Sequence, residues 1–170
     1  MDLKKVIRDV PDFPKSGIIF KDITPLLKDA DAFREVVDQL KQAFEGKGIR
    51  KICAIESRGF IFGAALAYAM NLPFVPVRKF GKLPWQKIGQ EYALEYGTDT
   101  IEMHVDAVEK GEGVLVVDDV LATGGTAEAL CKLLEKIGAK VVGLAFLMEL
   151  DFLKGRNRLS DYHIVSLLKY

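Results

Sequence analysis

The sequence lacks an excess of basic residues, and this limits the partners it can have. Lys plus Arg and Asp plus Glu number 24 each among 170 residues, so the formal net charge is zero. Proteins that bind nucleic acid through its phosphates usually carry a positive excess on one face. We therefore predict no nucleic-acid partner, and any function of charge must come from local clusters.

The sequence is also poor in cysteine and has no long apolar run. Its two cysteines, Cys53 and Cys131, are far apart, and no CxxC or Cys/His cluster is present. Disulfides and a structural zinc site are therefore not predicted, and two free thiols are typical of a reducing compartment. The N-terminus lacks the apolar segment of a signal peptide, and no stretch approaches the roughly 18 apolar residues of a membrane span. We predict a cytoplasmic protein with no membrane partner.

The apolar residues that are present form alternating strand and helix patterns. They make up 49% of the chain, in short runs separated by segments of helical spacing. Buried strands are predicted at 51–56, 73–77, 113–119, 139–150 and 162–168, helices at 31–46, 59–70 and 124–137, and a hairpin at 91–96 and 100–105. Residues 1–28 are predicted to be irregular. The pattern indicates a single α/β domain, 1–170, with a mainly parallel central sheet flanked by helices.

Polar segments follow four of the predicted strands. They are 56–59, 78–81, 118–126 and 149–151. Ligands of open α/β sheets bind outside the carboxyl ends of the strands, so we expect these segments to converge on one crevice. The stretch 78–90, which contains the second segment, is rich in basic residues and glycine and is predicted to be a loop.

The segment Ala122-Thr123-Gly124-Gly125-Thr126, here called the phosphate loop, has the composition of an anion site. Glycines let backbone N–H groups approach an anion closely, and the helix that follows adds free N–H groups and a positive dipole end. No GK[ST] follows the glycines and no GxGxxG is present, which excludes a Walker loop and a dinucleotide fingerprint. The competing interpretation is a tight turn that needs glycine, with Thr123 as a helix cap.

Two adjacent aspartates, Asp118 and Asp119, come just before the phosphate loop. Carboxylates repel phosphate and are costly to desolvate together. They do accept hydrogen bonds from hydroxyls, and they are ligands for Mg2+. A ribose 5-phosphate offers its hydroxyls to the aspartates and its phosphate to the loop. The spacing therefore predicts a site for a phosphorylated sugar.

The stretch VLVVDDVLATGGTAEA, residues 114–129, resembles the signature of the type I phosphoribosyltransferases. The stretches DFPKSGIIFKDITPLL, AIESRGFIFGAALA, VRKFGKLP and YALEYG and the tail SLLKY are similar to the members of that family that act on adenine, and the likeness covers about 11–170. The resemblance implies the type I phosphoribosyltransferase fold. That fold has a small N-terminal hood, here about 1–30, a core at about 31–170 and a flexible loop at about 78–90.

The resemblance also implies an activity. The family transfers the 5-phosphoribosyl group from 5-phosphoribosyl 1-pyrophosphate to a base, and here the expected base is adenine, which gives AMP and pyrophosphate in purine salvage. Mg2+ is the expected cofactor, held through the substrate and not bound directly by the protein. A homodimer is the expected assembly.

Roles for single residues follow from the same resemblance. Asp118 and Asp119 face the ribose hydroxyls, the phosphate loop binds the 5-phosphate, and Glu95 is a catalytic group near the attacking nitrogen of adenine. The residues implied at the pyrophosphate are Arg58, Arg78, Lys79 and Lys82. The residues implied at the adenine are Ile19, Phe20, Lys21 and Leu150, with backbone contacts from Ile19 and Lys21 and stacking on Phe20.

Two alternatives remain open at this point. A phosphoribosyltransferase for another purine base would share the aspartates and the phosphate loop, and only the GIIFKD and LEYG stretches argue against it. A regulator that binds a phosphoribosyl compound without catalysis is less favoured, because the sequence has neither an added DNA-binding segment nor a basic excess.

Overall fold

The computed structural model describes residues 1–170 and contains nine strands and four α-helices. The strands are β1 (Arg8–Pro11), β2 (Ile19–Asp22), β3 (Lys51–Ile55), β4 (Phe74–Lys79), β5 (Lys87–Ala93), β6 (Thr98–His104), β7 (Gly113–Leu121), β8 (Lys140–Glu149) and β9 (Ile164–Lys169). The helices are α1 (Thr24–Leu27), α2 (Ala30–Phe44), α3 (Arg58–Met70) and α4 (Gly125–Lys136), and 3-10 turns occupy Leu3–Val6, Asp151–Leu153 and Gly155–Leu159. None of the helices combines the length and apolar character that crossing a membrane requires.

A seven-stranded sheet with the order β5-β6-β4-β3-β7-β8-β9 runs through the molecule. The five strands from β4 to β9 in that order are parallel, and β6 runs antiparallel to both β4 and β5. Parallel neighbours require crossover connections, which α3 and α4 supply on opposite faces. The predicted α/β fold with a mainly parallel central sheet is therefore confirmed.

Strict alternation along the central strands divides the core into two layers. In β3, Ala54 packs with α2 and α3 on one face, whereas Cys53 packs with α4 on the other. In β7, Val117 and Val116 divide in the same way. Since both faces are covered, the central strands are apolar throughout, and the polar residues that follow them are brought to the edge of the sheet.

The N-terminal segment is more regular than the sequence predicts. β1 and β2 pair antiparallel, with Val10 opposite Phe20, and their ion pairs are formed across the hairpin, with Lys21 Nζ 2.7 Å from Asp9 Oδ1. Lys21 Nζ also lies 4.2 Å from the centre of the Tyr170 ring. These cross-strand and terminal contacts are long-range in sequence, which is why the local pattern of prolines indicated an irregular segment.

The predicted loop 78–90 is shorter in the structure. β4 continues through Lys79 and β5 begins at Lys87, so only 80–86 connect them. Gly89 is a strand residue: an added Cβ would lie 3.1 Å from Thr100 Cγ2 on β6, so glycine permits close approach of the two strands. The hairpin is likewise shifted, because Ala93 pairs with Thr98 and the turn occupies 94–97.

Candidate active site

A cavity of about 390 Å³ lies at the carboxyl ends of the parallel strands. Residues from β2, from the ends of β3, β4 and β7 and from the segment after β8 line it. The lining includes ten of the residues implied by the sequence: Ile19, Phe20, Lys21, Arg58, Lys79, Asp118, Asp119, Ala122, Thr126 and Leu150. The expected convergence of the four strand-end segments is therefore observed.

Asp118 and Asp119 end the apolar part of β7 beside the start of α3. Gly59 leaves room for them, because an added Cβ there would lie 2.7 Å from Asp118 Oδ1. Arg58 Nε lies 2.8 Å from Asp119 Oδ2, so one of the two carboxylates has a cationic partner. Burial and the neighbouring Asp119 raise the pKa of Asp118 well above its ordinary value of 3.8. Hydroxyl donors from a ligand would stabilise the ionised form.

The phosphate loop joins β7 to α4 and adjoins the main cavity. Residues 122–126 line a smaller hollow of about 70 Å³ that shares Asp118 with it. Gly124 has a φ of +84° and caps α4 without any side-chain hydrogen bond, so the first N–H groups of the helix are not occupied by a cap. The alternative in which Thr123 caps the helix is therefore wrong. The arrangement offers an anion several backbone donors.

Arg78 and Lys82 are paired with Glu56 and do not line the cavity themselves. Glu56 accepts hydrogen bonds from Arg78 Nη2 at 3.1 Å and from the Lys79 backbone N–H at 2.6 Å, and Lys82 Nζ lies 3.4 Å away. Burial opposes ionisation of Glu56, but these donors outweigh it and lower its pKa. Glu56 lines the cavity, so both cations lie one side chain away from it.

Lys79 reaches the cavity from the end of β4 and is held by the β5–β6 hairpin. Its Nζ hydrogen-bonds to the hydroxyl of Tyr92 and lies 3.0 Å from Asp99 Oδ2. Tyr92 in turn donates to Asp99 at 3.1 Å. Burial lowers the pKa of Lys79, but the bonds to Tyr92 and Asp99 outweigh it and raise the pKa. The hairpin thus holds the protonated amine of Lys79 at one wall of the cavity.

Residues of β2 form another part of the cavity wall. Phe20 lies edge-on to Phe13, with ring centres 5.3 Å apart, and the Arg58 guanidinium lies 5.2 Å from the centre of its ring. Ile19 and Leu150 also face the cavity. Aromatic and aliphatic side chains such as Phe20, Ile19 and Leu150 suit an aromatic heterocycle.

Glu95 lies outside the cavity. It is exposed in the turn at the tip of the β5–β6 hairpin, next to Tyr96, which is 88% exposed. The described conformation therefore does not bring Glu95 to the other implied residues, and its catalytic role stays a prediction. A hairpin tip is a segment that can move relative to the sheet that carries it.

Several residues that organise the site were not identified from the sequence. Glu56, Tyr92 and Asp99 hold the basic side chains, and Gly155 packs beneath the phosphate loop, where a methyl group would overlap the carbonyl oxygen of Ala122. Glu56 directly follows a buried strand, which is a usable signal. The others act through contacts between distant segments and leave no local pattern.

The chain contains no group of three or more His, Cys, Asp or Glu side chains that could hold a metal ion. Asp118 and Asp119 are the paired carboxylates of the cavity. Mg2+ takes six oxygen ligands, and proteins commonly supply one or two carboxylates while water and substrate phosphates supply the rest. The residues present fit Mg2+ on those terms.

The sequence matches a family model and curated relatives over nearly its full length. Residues 22–169 match the model of the phosphoribosyl transferase domain. A curated relative, the adenine phosphoribosyltransferase of Thermotoga petrophila, is 55% identical over 170 residues, which is 100% of both chains.

Solved structures match as well. The adenine phosphoribosyltransferase of Thermoanaerobacter pseudethanolicus superposes with a TM-score of 0.96 at 54% identity, over 99% of this chain and 98% of its own. The Saccharomyces cerevisiae enzyme, complexed with an imino-altritol bisphosphate and adenine, has a TM-score of 0.93 at 42% identity, over 98% of this chain and 97% of its own.

Proposed function

The chain belongs to the phosphoribosyl transferase family, and we propose that it transfers the 5-phosphoribosyl group of 5-phosphoribosyl 1-pyrophosphate to adenine. The products are AMP and pyrophosphate. The observation that carries this proposal is that the aspartate pair and the apolar residues Phe20 and Leu150 line one cavity, which the phosphate loop adjoins. Full-length similarity to adenine phosphoribosyltransferases supports adenine as the base.

The 5-phosphate binds the phosphate loop and the ribose hydroxyls bind the aspartates. The uncapped start of α4 and the left-handed Gly124 support the first contact. The raised pKa of Asp118 supports the second, because a buried carboxylate gains most from hydroxyl donors. Bound in this way, the sugar is oriented with its anomeric carbon toward the hood.

Pyrophosphate binds Arg58 and Lys79 in the cavity and recruits Arg78 and Lys82 from Glu56. Arg78 and Lys82 would then exchange the single negative charge of Glu56 for the higher negative charge of pyrophosphate, and the stronger attraction favours this exchange. Mg2+ would be held mainly through the substrate, in the cavity that Asp118 and Asp119 line, and would supply neutralisation of the pyrophosphate charge. Lys79 and Arg58 add fixed positive charge where the leaving group departs.

The base lies between Phe20 and Leu150 and is read by backbone groups of Ile19 and Lys21. A ring nitrogen of adenine attacks the anomeric carbon of the sugar, the bond from that carbon to pyrophosphate breaks, and the ring nitrogen loses its proton. We assign the proton acceptor to Glu95, which requires the hairpin tip to fold over the cavity. Closure would also exclude water, which competes with adenine for the activated ribose.

Two further features belong to the proposal. The protein is a homodimer, supported by the exposed apolar stripe Ile61, Ala64 and Tyr68 on α3, of which Tyr68 is 91% exposed. Its location is the cytoplasm, supported by the two free thiols Cys53 and Cys131.

The test is an assay of the purified protein with 5-phosphoribosyl 1-pyrophosphate, Mg2+ and each base in turn. We expect AMP from adenine and little product from hypoxanthine, guanine or orotate. The double variant Asp118→Asn with Asp119→Asn should abolish transfer. Failure to form AMP would refute the proposal, and tight binding of nucleic acid in its place would favour the regulator. If the protein prefers another base, the phosphoribosyltransferase assignment stands and only the proposed substrate is wrong.

A further inference from the structure

Outside the cavity, the most heavily bonded carboxylate of the chain is Glu149, the last residue of β8. Its side chain is 2% exposed. Arg156 donates to it from Nε at 2.9 Å and from Nη2 at 2.6 Å, Ser166 donates its hydroxyl, and Lys169 Nζ lies 3.2 Å away. Burial raises the pKa of Glu149, but these donors outweigh it and lower the pKa to about 2. The group is therefore a permanent anion with a bidentate arginine partner.

The partner of Glu149 belongs to the segment that supports the phosphate loop. Arg156 follows Gly155, whose backbone lies directly against the loop: an added Cβ at Gly124 would lie 2.7 Å from the Gly155 carbonyl oxygen. An added Cβ at Gly155 would in turn overlap the carbonyl oxygen of Ala122. Two glycines in direct backbone contact mean that any shift of the segment moves the loop.

Glu149 is fixed on its other side to the same strand that carries the aspartates. It pairs with Leu121 across β7 and β8, and the Leu150 N–H donates to the Leu121 carbonyl at 2.9 Å. Leu121 directly precedes Ala122. The Glu149–Arg156 pair thus connects the last residues of β7 and β8 to the segment that contacts the loop, and neither side chain lines the cavity.

We propose that Glu149 and Arg156 are positioning residues for the 5-phosphate, which hold Gly155 against the phosphate loop and so set its affinity for the phosphorylated sugar. The inference rests on the proposed function for the identity of the ligand. Neither side chain touches the substrate. Their effect passes through the backbone of Gly155 to the N–H groups of the loop.

The test compares Arg156→Met with Arg158→Met. Arg158 lies in the same 3-10 turn and makes a similar ion pair, 3.2 Å from Glu128 on α4, but it does not reach Glu149. We expect Arg156→Met to raise the KM for 5-phosphoribosyl 1-pyrophosphate about 10-fold with kcat changed less than about 3-fold, since a small misplacement of binding groups costs affinity. Arg158→Met should keep wild-type values.

Three further variants separate positioning from general loss of stability. Arg156→Lys keeps the charge but not the bidentate geometry, and its KM should lie between those of wild type and Arg156→Met. Glu149→Gln should match Arg156→Met, and the double variant should be no worse than either, because both changes break one interaction. A wild-type KM in Arg156→Met, a defect confined to kcat, or equal defects in Arg156→Met and Arg158→Met would overturn the proposal.

Calorimetric titration with ribose 5-phosphate distinguishes this inference from the proposed function. We expect the Kd of Arg156→Met to rise by about the same factor as its KM. If the wild-type protein binds ribose 5-phosphate but makes no AMP, the proposed function fails, and the comparison of the two arginine variants still decides the positioning role. An unchanged Kd in Arg156→Met would overturn the positioning role even if AMP is formed.

Discussion

Gly124 is the residue on which the geometry of the phosphate loop depends most directly. Its φ is +84°, and an added Cβ would lie 2.7 Å from the Gly155 carbonyl oxygen. We expect Gly124→Ala to lower kcat/KM for 5-phosphoribosyl 1-pyrophosphate about 100-fold, because the loop must shift to relieve the overlap. Steady-state kinetics with varied phosphoribosyl donor measures the effect.

Gly111 provides the matched control for that change. Its φ is +85°, but an added Cβ would meet nothing within 4 Å. Gly111→Ala should cost about 1 kcal/mol of folding free energy through backbone strain alone and leave the kinetics unchanged. Similar kinetic losses in the two variants would show that strain, and not contact with Gly155, explains the first result.

The ionised Asp118 carboxylate is expected to lower the free energy of unfolding of the protein. Because its pKa in the folded state is raised well above 3.8, folding favours the protonated form, and stability falls as the pH rises from 3.8 through the folded-state pKa. Asp118→Asn removes this loss. The melting temperature of Asp118→Asn should therefore exceed that of wild type by more at pH 8 than at pH 4, as measured by thermal unfolding.

The same variant should lose activity, by about 100-fold in kcat/KM, because an amide accepts hydroxyl donors less strongly than a carboxylate. Asp106→Asn, at an exposed position outside the cavity, is the control and should change neither quantity. A stability difference that is the same at both pH values would contradict the proposed burial cost at Asp118. Wild-type kinetics would contradict its contact with the ribose.

At the scale of elements, the segment 80–86 between β4 and β5 follows directly on Lys79, which lines the cavity. Trp85, the single tryptophan of the chain, lies in it and is 52% exposed. If the segment closes over bound substrate, Trp85 should become less exposed, and its emission should shift to shorter wavelength on addition of 5-phosphoribosyl 1-pyrophosphate with Mg2+. Fluorescence titration measures this directly.

Trp85→Phe gives the background signal for that titration and should show no shift. Adenine alone, which carries no pyrophosphate, should also leave the Trp85 emission unchanged. An emission spectrum that stays constant at saturating donor would contradict closure of the segment 80–86 over the bound substrate.

The sequence predicts strands and helices well where one local pattern suffices. The apolar runs of β3, β7 and β8 and the helical spacing of α2 and α4 place these elements within a few residues of their observed bounds, because burial on both faces demands continuous apolar runs. The β4–β5 connection was predicted too long. Strand pairing between β5 and β6 is tertiary, and Gly89, which lies in the predicted loop, is a site of close strand approach.

The residues of the candidate site likewise fall into those that a local pattern predicts and those that it does not. Asp118, Asp119 and the phosphate loop are contiguous, so chemistry and spacing identify them together. The tyrosine and aspartate that hold Lys79 reach it only when β4, β5 and β6 pair. The glutamate–arginine pair forms only when the turn Gly155–Leu159 packs against the end of β8. No pattern in the chain marks such partners, since each is an ordinary polar residue until its neighbour is known.

At the scale of the whole molecule, the exposed apolar stripe on α3 is the feature that supports the proposed dimer. Ile61 and Tyr68 are 38% and 91% exposed, although α3 buries its other face in the core. Neighbouring exposed apolar side chains on one helix face are a candidate contact surface for a second copy of the chain. We expect Ile61→Asp to convert a particle of twice the 18.9 kDa chain mass into a monomer, because an unpaired charge in the contact is costly.

Sedimentation equilibrium or light scattering after gel filtration measures the mass. Phe152→Asp is the matched control, since Phe152 is 70% exposed in the turn after β8 and lies off the α3 stripe; it should retain the wild-type mass. A wild-type particle that is already monomeric would end the dimer proposal, and a dimer that survives Ile61→Asp would place the contact elsewhere. Because α3 begins at Arg58, which lines the cavity, the monomeric variant should also bind pyrophosphate more weakly if the interface orients that end of the helix.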